Sequence, residues 1–167
     1  LRAIYLHEMD RFRRTLLQSL LSPVLSTSLY FIVFGSVIGD YVETIDGLSY
    51  GSYIVPGLLM LTLLTQSISN TSFGIFFPKF NGTIYEILAA PISTFEVVLA
   101  FVGAGATKTL IVGVVIFITS LFFVDVTVKY PLLMIFLLVL VAFTFALFGF
   151  LIGLMSSNFE QMSIVPT

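Results

Sequence analysis

The chain has 167 residues, 58% of them hydrophobic and 10% charged, with a mean hydropathy of +1.11; a soluble domain carries roughly 25% charged residues, so a water-soluble core is excluded. Seven basic and nine acidic residues leave a net charge of -2, which says less than their placement, because almost all of them stand between long apolar runs. The absence of cysteine excludes a disulfide framework, a thiolate nucleophile and a thiolate metal site, and a single histidine, His7, cannot build a His-based metal cluster.

Residues 2–14 predict an amphipathic helix. Tyr5, Met9, Phe12 and Leu16 recur every three or four positions, while His7, Glu8, Asp10, Arg11, Arg13 and Arg14 fill the others. Such a helix suits the plane of a membrane surface; the alternative is a helix packed on another subunit. Beyond it, 15–39, 47–78 and 130–159 contain no Asp, Glu, Lys or Arg, and 97–124 contains only Lys108. About 20 apolar residues in a helix cross the hydrocarbon core, where every backbone polar group must be satisfied internally. The runs lack the two-residue alternation of barrel strands. The predicted fold is an all-α integral membrane protein with spans at about 16–38, 53–77, 103–124 and 131–155.

Basic residues near span ends are retained in the cytoplasm. Arg2, Arg11, Arg13 and Arg14 precede the first span and Lys79 follows the second, whereas Asp40, Glu43 and Asp46 occupy the first connection without a basic residue. The N-terminus and the link around Lys79 are therefore predicted to be cytoplasmic. Lys108 falls in the inner third of the third span, where its stem would snorkel to the cytosolic interface; contact with a substrate is the other reading. Small residues, Gly103, Ala106 and Gly113 in the third span and Ala142, Ala146, Gly149 and Gly153 in the fourth, predict close helix approach, as does the pair Gly35 and Gly39.

The most organised polar segment is 79–96. Thr83-Ile84-Tyr85-Glu86 matches a capping box, Pro91 forbids continuation, and Ser93-Thr94-Phe95-Glu96 matches a second box opening the next helix. A short helix from about Ile84 to Ala90 should hang between the second and third spans. A membrane-embedded enzyme would need a nucleophile, a metal cluster or paired carboxylates at one depth, and the spans offer only Ser, Thr, Gln66, Asn70 and Lys108. Asn70 and Phe73, with Lys108, are the candidate lining of a path. A passive channel or scaffold is not distinguished by composition.

Gly82-Thr83-x-x-Glu86-x-Leu88-x-x-Pro91-x-Ser93-x-x-Glu96, Ile54-Val55-Pro56-Gly57-Leu58 and Leu29-Tyr30-Phe31-Ile32-Val33-Phe34-Gly35 resemble the permeases of type-2 ATP-binding-cassette (ABC) exporters, in particular the bacterial multidrug, nodulation-factor and polysaccharide export subgroup. The resemblance covers the whole chain and implies one permease domain over 1–167, the N-terminal two-thirds of a six-span protein, with a fifth span beginning at 162–167. It implies a coupling element in which Thr83, Tyr85, Glu86, Leu88 and Pro91 meet a separate ABC ATPase subunit, expected in two copies, and an interface helix with Met9, Arg11, Phe12, Arg13 and Arg14. The remaining implied partners are a second permease, as a homodimer, and the lipid bilayer of the inner membrane, with no nucleic acid. ATP and Mg would be bound by the ATPase, leaving no cofactor in this chain.

Overall fold

A computed structural model describes residues 2–38, 50–124 and 128–163. Helix α1 (Arg2–Arg14) breaks at Thr15 into α2 (Leu16–Tyr30), which continues as a π-helical stretch, Phe31–Ile38. There follow α3 (Tyr50–Phe80), α4 (Ile84–Ala89), α5 (Thr94–Phe123), α6 (Pro131–Met155) and α7 (Phe159–Ser163). No strand occurs among the described residues. Four helices, Leu16–Phe34, Tyr50–Phe80, Thr94–Phe123 and Pro131–Met155, are long and apolar enough to cross a membrane. The second and third are 31 and 30 residues long, more than the roughly 20 a bilayer requires.

Prolines inside these helices are tolerated because neighbouring groups take up the polar atoms they disturb. In α2, which carries Pro23, the buried Thr27 satisfies its own hydroxyl by donating Oγ1 to the Pro23 carbonyl one turn back, at 2.7 Å. Helix α3 is the hub, packing on both α6 and α5. Helix association in lipid lacks a hydrophobic drive and depends on how closely backbones can approach. A methyl group added at Gly149 would lie 2.6 Å from the Ile68 carbonyl oxygen, one at Gly153 would lie 2.5 Å from the Ser72 carbonyl oxygen, and one at Gly105 would overlap the Thr71 hydroxyl. Ala142 and Ala146 are wholly enclosed, and Ser67 Oγ donates across the seam to the Ala142 carbonyl at 3.1 Å. Gly113 likewise meets Leu63. Gly103 is a correction: nothing lies within 4 Å of the side chain it lacks, because it faces away from the partner helices. Gly39 of the proposed Gly35–Gly39 pair lies outside the described residues, as does most of 162–167.

One end of the bundle collects α1, α4 and α7. The turn after α3 is made by Gly82 in the left-handed region, φ 78°, where a glycine carries no side-chain penalty. The two capping boxes then diverge. Ser93 is extended (φ -74°, ψ 149°) and forms both bonds of the box, accepting from the Glu96 amide while its own amide donates to Glu96 Oε2 at 3.1 Å. Thr83 makes no side-chain cap. Its backbone is already helical (φ -63°, ψ -16°), whereas a capping residue must leave the helical region to aim its oxygen at the next turn. Lys79 ties this end together: its ammonium donates to the carbonyls of Leu154 at 2.8 Å and Ser156 at 2.9 Å, satisfying acceptors at the C-terminus of α6. Phe159 of α7 packs edge-on against Phe76 and Phe80.

Candidate functional site

Helix α1 lies against α5 through a charged joint. Glu8 Oε2 accepts from Lys108 Nζ at 2.7 Å and from Arg11 Nη2 at 2.8 Å, with the side chains of Glu8 and Lys108 only 3% and 4% exposed. One position earlier on α5, the Tyr5 hydroxyl donates to Thr107 Oγ1 at 3.1 Å. Arg11 in turn stands over the Phe73 ring, 5.5 Å from its centre, a favourable cation–π distance. Glu8 fits because it faces the ring-bearing side of α3, close to Gly74, where a side chain would meet its carboxylate at 3.5 Å.

Two sequence expectations change here. Lys108 does not snorkel to water; its charge is met inside the protein by a carboxylate on another helix. The oily stripe of α1 is also turned: Glu8 and Phe12 are its buried residues while Met9 is only half-buried. Arg13 and Arg14 remain exposed.

Beside this joint, α1, α2, α3, α5 and α7 line an open cavity of about 420 Å³ whose wall includes Arg11, Phe12, Asn70, Phe73, Lys108 and Met162. The structure thus brings Lys108, Asn70 and Phe73, the candidate path residues, to one cavity. Asn70 is braced by Gln66 at 3.5 Å and Phe73 stacks on Phe77 at 5.5 Å between ring centres. Among the described residues no three of His, Cys, Asp and Glu converge to hold a metal ion; the cavity wall offers cations, hydroxyls, an amide and aromatic rings.

The second surface is α4. Ile84 and Ile87 pack toward the core, leaving Tyr85 and Leu88 turned out at 73% and 67% exposure, with Glu86, Thr83 and Pro91 exposed beside them. Ile87 and Thr83 also border a cleft shared with Ile4, His7 and Glu8, so α4 and α1 are neighbours. Sequence reasoning missed the role of Glu8. The available signal was partial: a lone lysine inside a span calls for a carboxylate, but nothing in the sequence singles out Glu8 from Asp10, Glu86, Glu96 and Glu160, which stand on the same side.

The ABC-2 type transporter family model matches residues 1–167. The inner membrane transport permease YadH of Escherichia coli is 38% identical over 167 residues, covering 100% of this chain and 65% of that protein. The permease of the same name from Shigella flexneri matches to the same extent. The chain thus spans less than two-thirds of the length of these curated relatives. No solved structure matches it.

Proposed function

We propose, from the premise that this chain belongs to the ABC-2 type transporter family, that it is the permease part of an ATP-driven exporter of the inner membrane. In this reading it forms a substrate path and takes its drive from a separate ATPase. The observation that carries the reading is α4. It is a short helix held at both ends, by the Gly82 turn and by the Ser93 box that starts α5, with two core-facing isoleucines and a bare outward face of Tyr85, Glu86 and Leu88. A helix so anchored transmits a push into α5, where a flexible loop would absorb it. Thr83, Tyr85, Glu86, Leu88 and Pro91 form the contact with the ATPase, and the exposed side of α1, with Arg13 and Arg14, adjoins it.

The charge distribution supports an orientation with this end cytoplasmic. Arg2, Arg11, Arg13, Arg14, Lys79 and Lys108 lie on α1, the end of α3 or the half of α5 that meets α1, while Lys129 lies at the other end. Two permeases and two ATPases would complete the transporter, with ATP and Mg held by the ATPases and the 420 Å³ cavity as an entrance to the path. The test is the double variant Glu86→Ala with Leu88→Asp in the full-length protein. It should insert normally, co-purify poorly with the ATPase and lose export; undiminished export would remove α4 from the coupling route.

A further inference from the structure

The charged joint is unbalanced. Among the described residues one carboxylate, Glu8, answers two cations, Arg11 and Lys108. An ammonium has three N–H donors and a guanidinium five, yet each spends one on Glu8. Both cations line the same cavity, Lys108 at 4% exposure and Arg11 with its side chain 28% exposed. Lys108 is held out of bulk water and Arg11 partly so, and two cations side by side repel until a second anion joins them. The rest of the wall is apolar and aromatic, with Phe12, Phe73 and Met162 beside the hydroxyls of Ser19 and Ser69.

We infer that this cavity is a binding site for an anionic headgroup carried on an apolar body. The headgroup would sit against Arg11 and Lys108 and complete a two-cation, two-anion cluster with Glu8. The apolar body would run along Phe12 and Phe73. The cavity lies where α1 adjoins four membrane-length or membrane-bordering helices, so the chemistry fits a phospholipid phosphate of the surrounding leaflet or an exported amphiphile bearing the same group. Binding is independent of the coupling role proposed for α4 and needs no ATPase.

The experiment uses the full-length protein in neutral detergent, with phosphatidylglycerol, phosphatidylcholine of identical acyl chains, and inorganic phosphate as probes. Phosphatidylglycerol should raise the unfolding midpoint by about 3 °C or more above phosphatidylcholine, and phosphate alone should not. Arg11→Gln should erase the difference, whereas Arg14→Gln, on the exposed face of α1, should keep it. Equal effects of the two lipids, a difference that survives in Arg11→Gln, or the full shift from phosphate alone would each overturn the site. A second readout needs no variant: a phosphatidylglycerol bearing a photoreactive acyl chain should label peptides containing Phe12 and Phe73, and labelling confined to other helices would refute the assignment. In vesicles with the ATPase, ATP-driven movement of the bound phosphatidylglycerol between leaflets marks it as cargo and its retention marks it as resident lipid; either supports the site.

Discussion

The α3–α6 seam and the α1–α5 joint hold helices together by opposite means. Along the seam, Gly149 and Gly153 let α6 touch the backbone of α3, and Ala142 and Ala146 leave no room for anything larger. At the joint, Glu8 and Lys108 meet as ions in a place where neither reaches water. The seam is stabilised by many small dispersion contacts, each worth little, and tolerates no added volume. The joint depends on one Coulombic pair whose partners are each expensive alone. The contrast predicts that the seam fails when atoms are added and the joint fails when charge is removed from one side.

Glu8→Gln should give the largest effect, because it leaves both Lys108 and Arg11 without their carboxylate; a loss of about 3–5 kcal/mol is expected on unfolding of the full-length protein in detergent. Lys108→Met should cost less, about 1–3 kcal/mol, since Arg11 still holds Glu8. The double change Glu8→Gln with Lys108→Met should recover much of the loss, as removing both members of a buried pair does. Equal penalties in the two single variants would show that Arg11 gives Glu8 no support and would dissolve the asymmetry of the joint.

On the seam, Gly153→Ala should destabilise by about 1–3 kcal/mol, because the methyl group meets Ser72 backbone that cannot swing aside. Gly57→Ala, with nothing within 4 Å of the new carbon, should stay within about 0.5 kcal/mol. A matched response at the two glycines, read from the same unfolding curves, would argue that helix propensity and not close approach governs the seam. The smallest effect separates the two capping sequences. Ser93→Ala should cost about 1 kcal/mol and raise hydrogen exchange in the first turn of α5, while Thr83→Ala should leave α4 unchanged, since its hydroxyl caps nothing. Faster exchange at α4 in Thr83→Ala would contradict the cap geometry described for it.

Much of the bundle was legible in the chain. Pro131–Met155 coincides with the fourth predicted span; α3 adds three residues at each end of 53–77, and α5 starts at Thr94, where the Ser93 box opens it, ahead of the predicted crossing at 103. The Ser93 box was read correctly and the Thr83 box was not, although both show the same residue types; φ and ψ at the capping residue decide which oxygen can turn back. The small residues of the fourth span were read as contacts and are so, while Gly103 belongs to the same class by sequence and has nothing within 4 Å of the side chain it lacks, because which side of α5 faces a neighbour depends on how the helices pack.

The sequence by itself determined the all-α membrane architecture, the four long apolar helices and the short helix suspended between two of them. Those features follow from local requirements: a chain in hydrocarbon must satisfy its own backbone, and the Gly82 turn, Pro91 and the Ser93 box bound the short helix between the spans. Only the tertiary structure decided that Lys108 is neutralised from within, that Glu8 is the inward residue of α1, and that Arg11, Lys108, Asn70 and Phe73 share one cavity. Glu8 and Lys108 are separated by 100 positions, and a charge finds its partner through space, so no periodicity or motif in either helix carries that pairing.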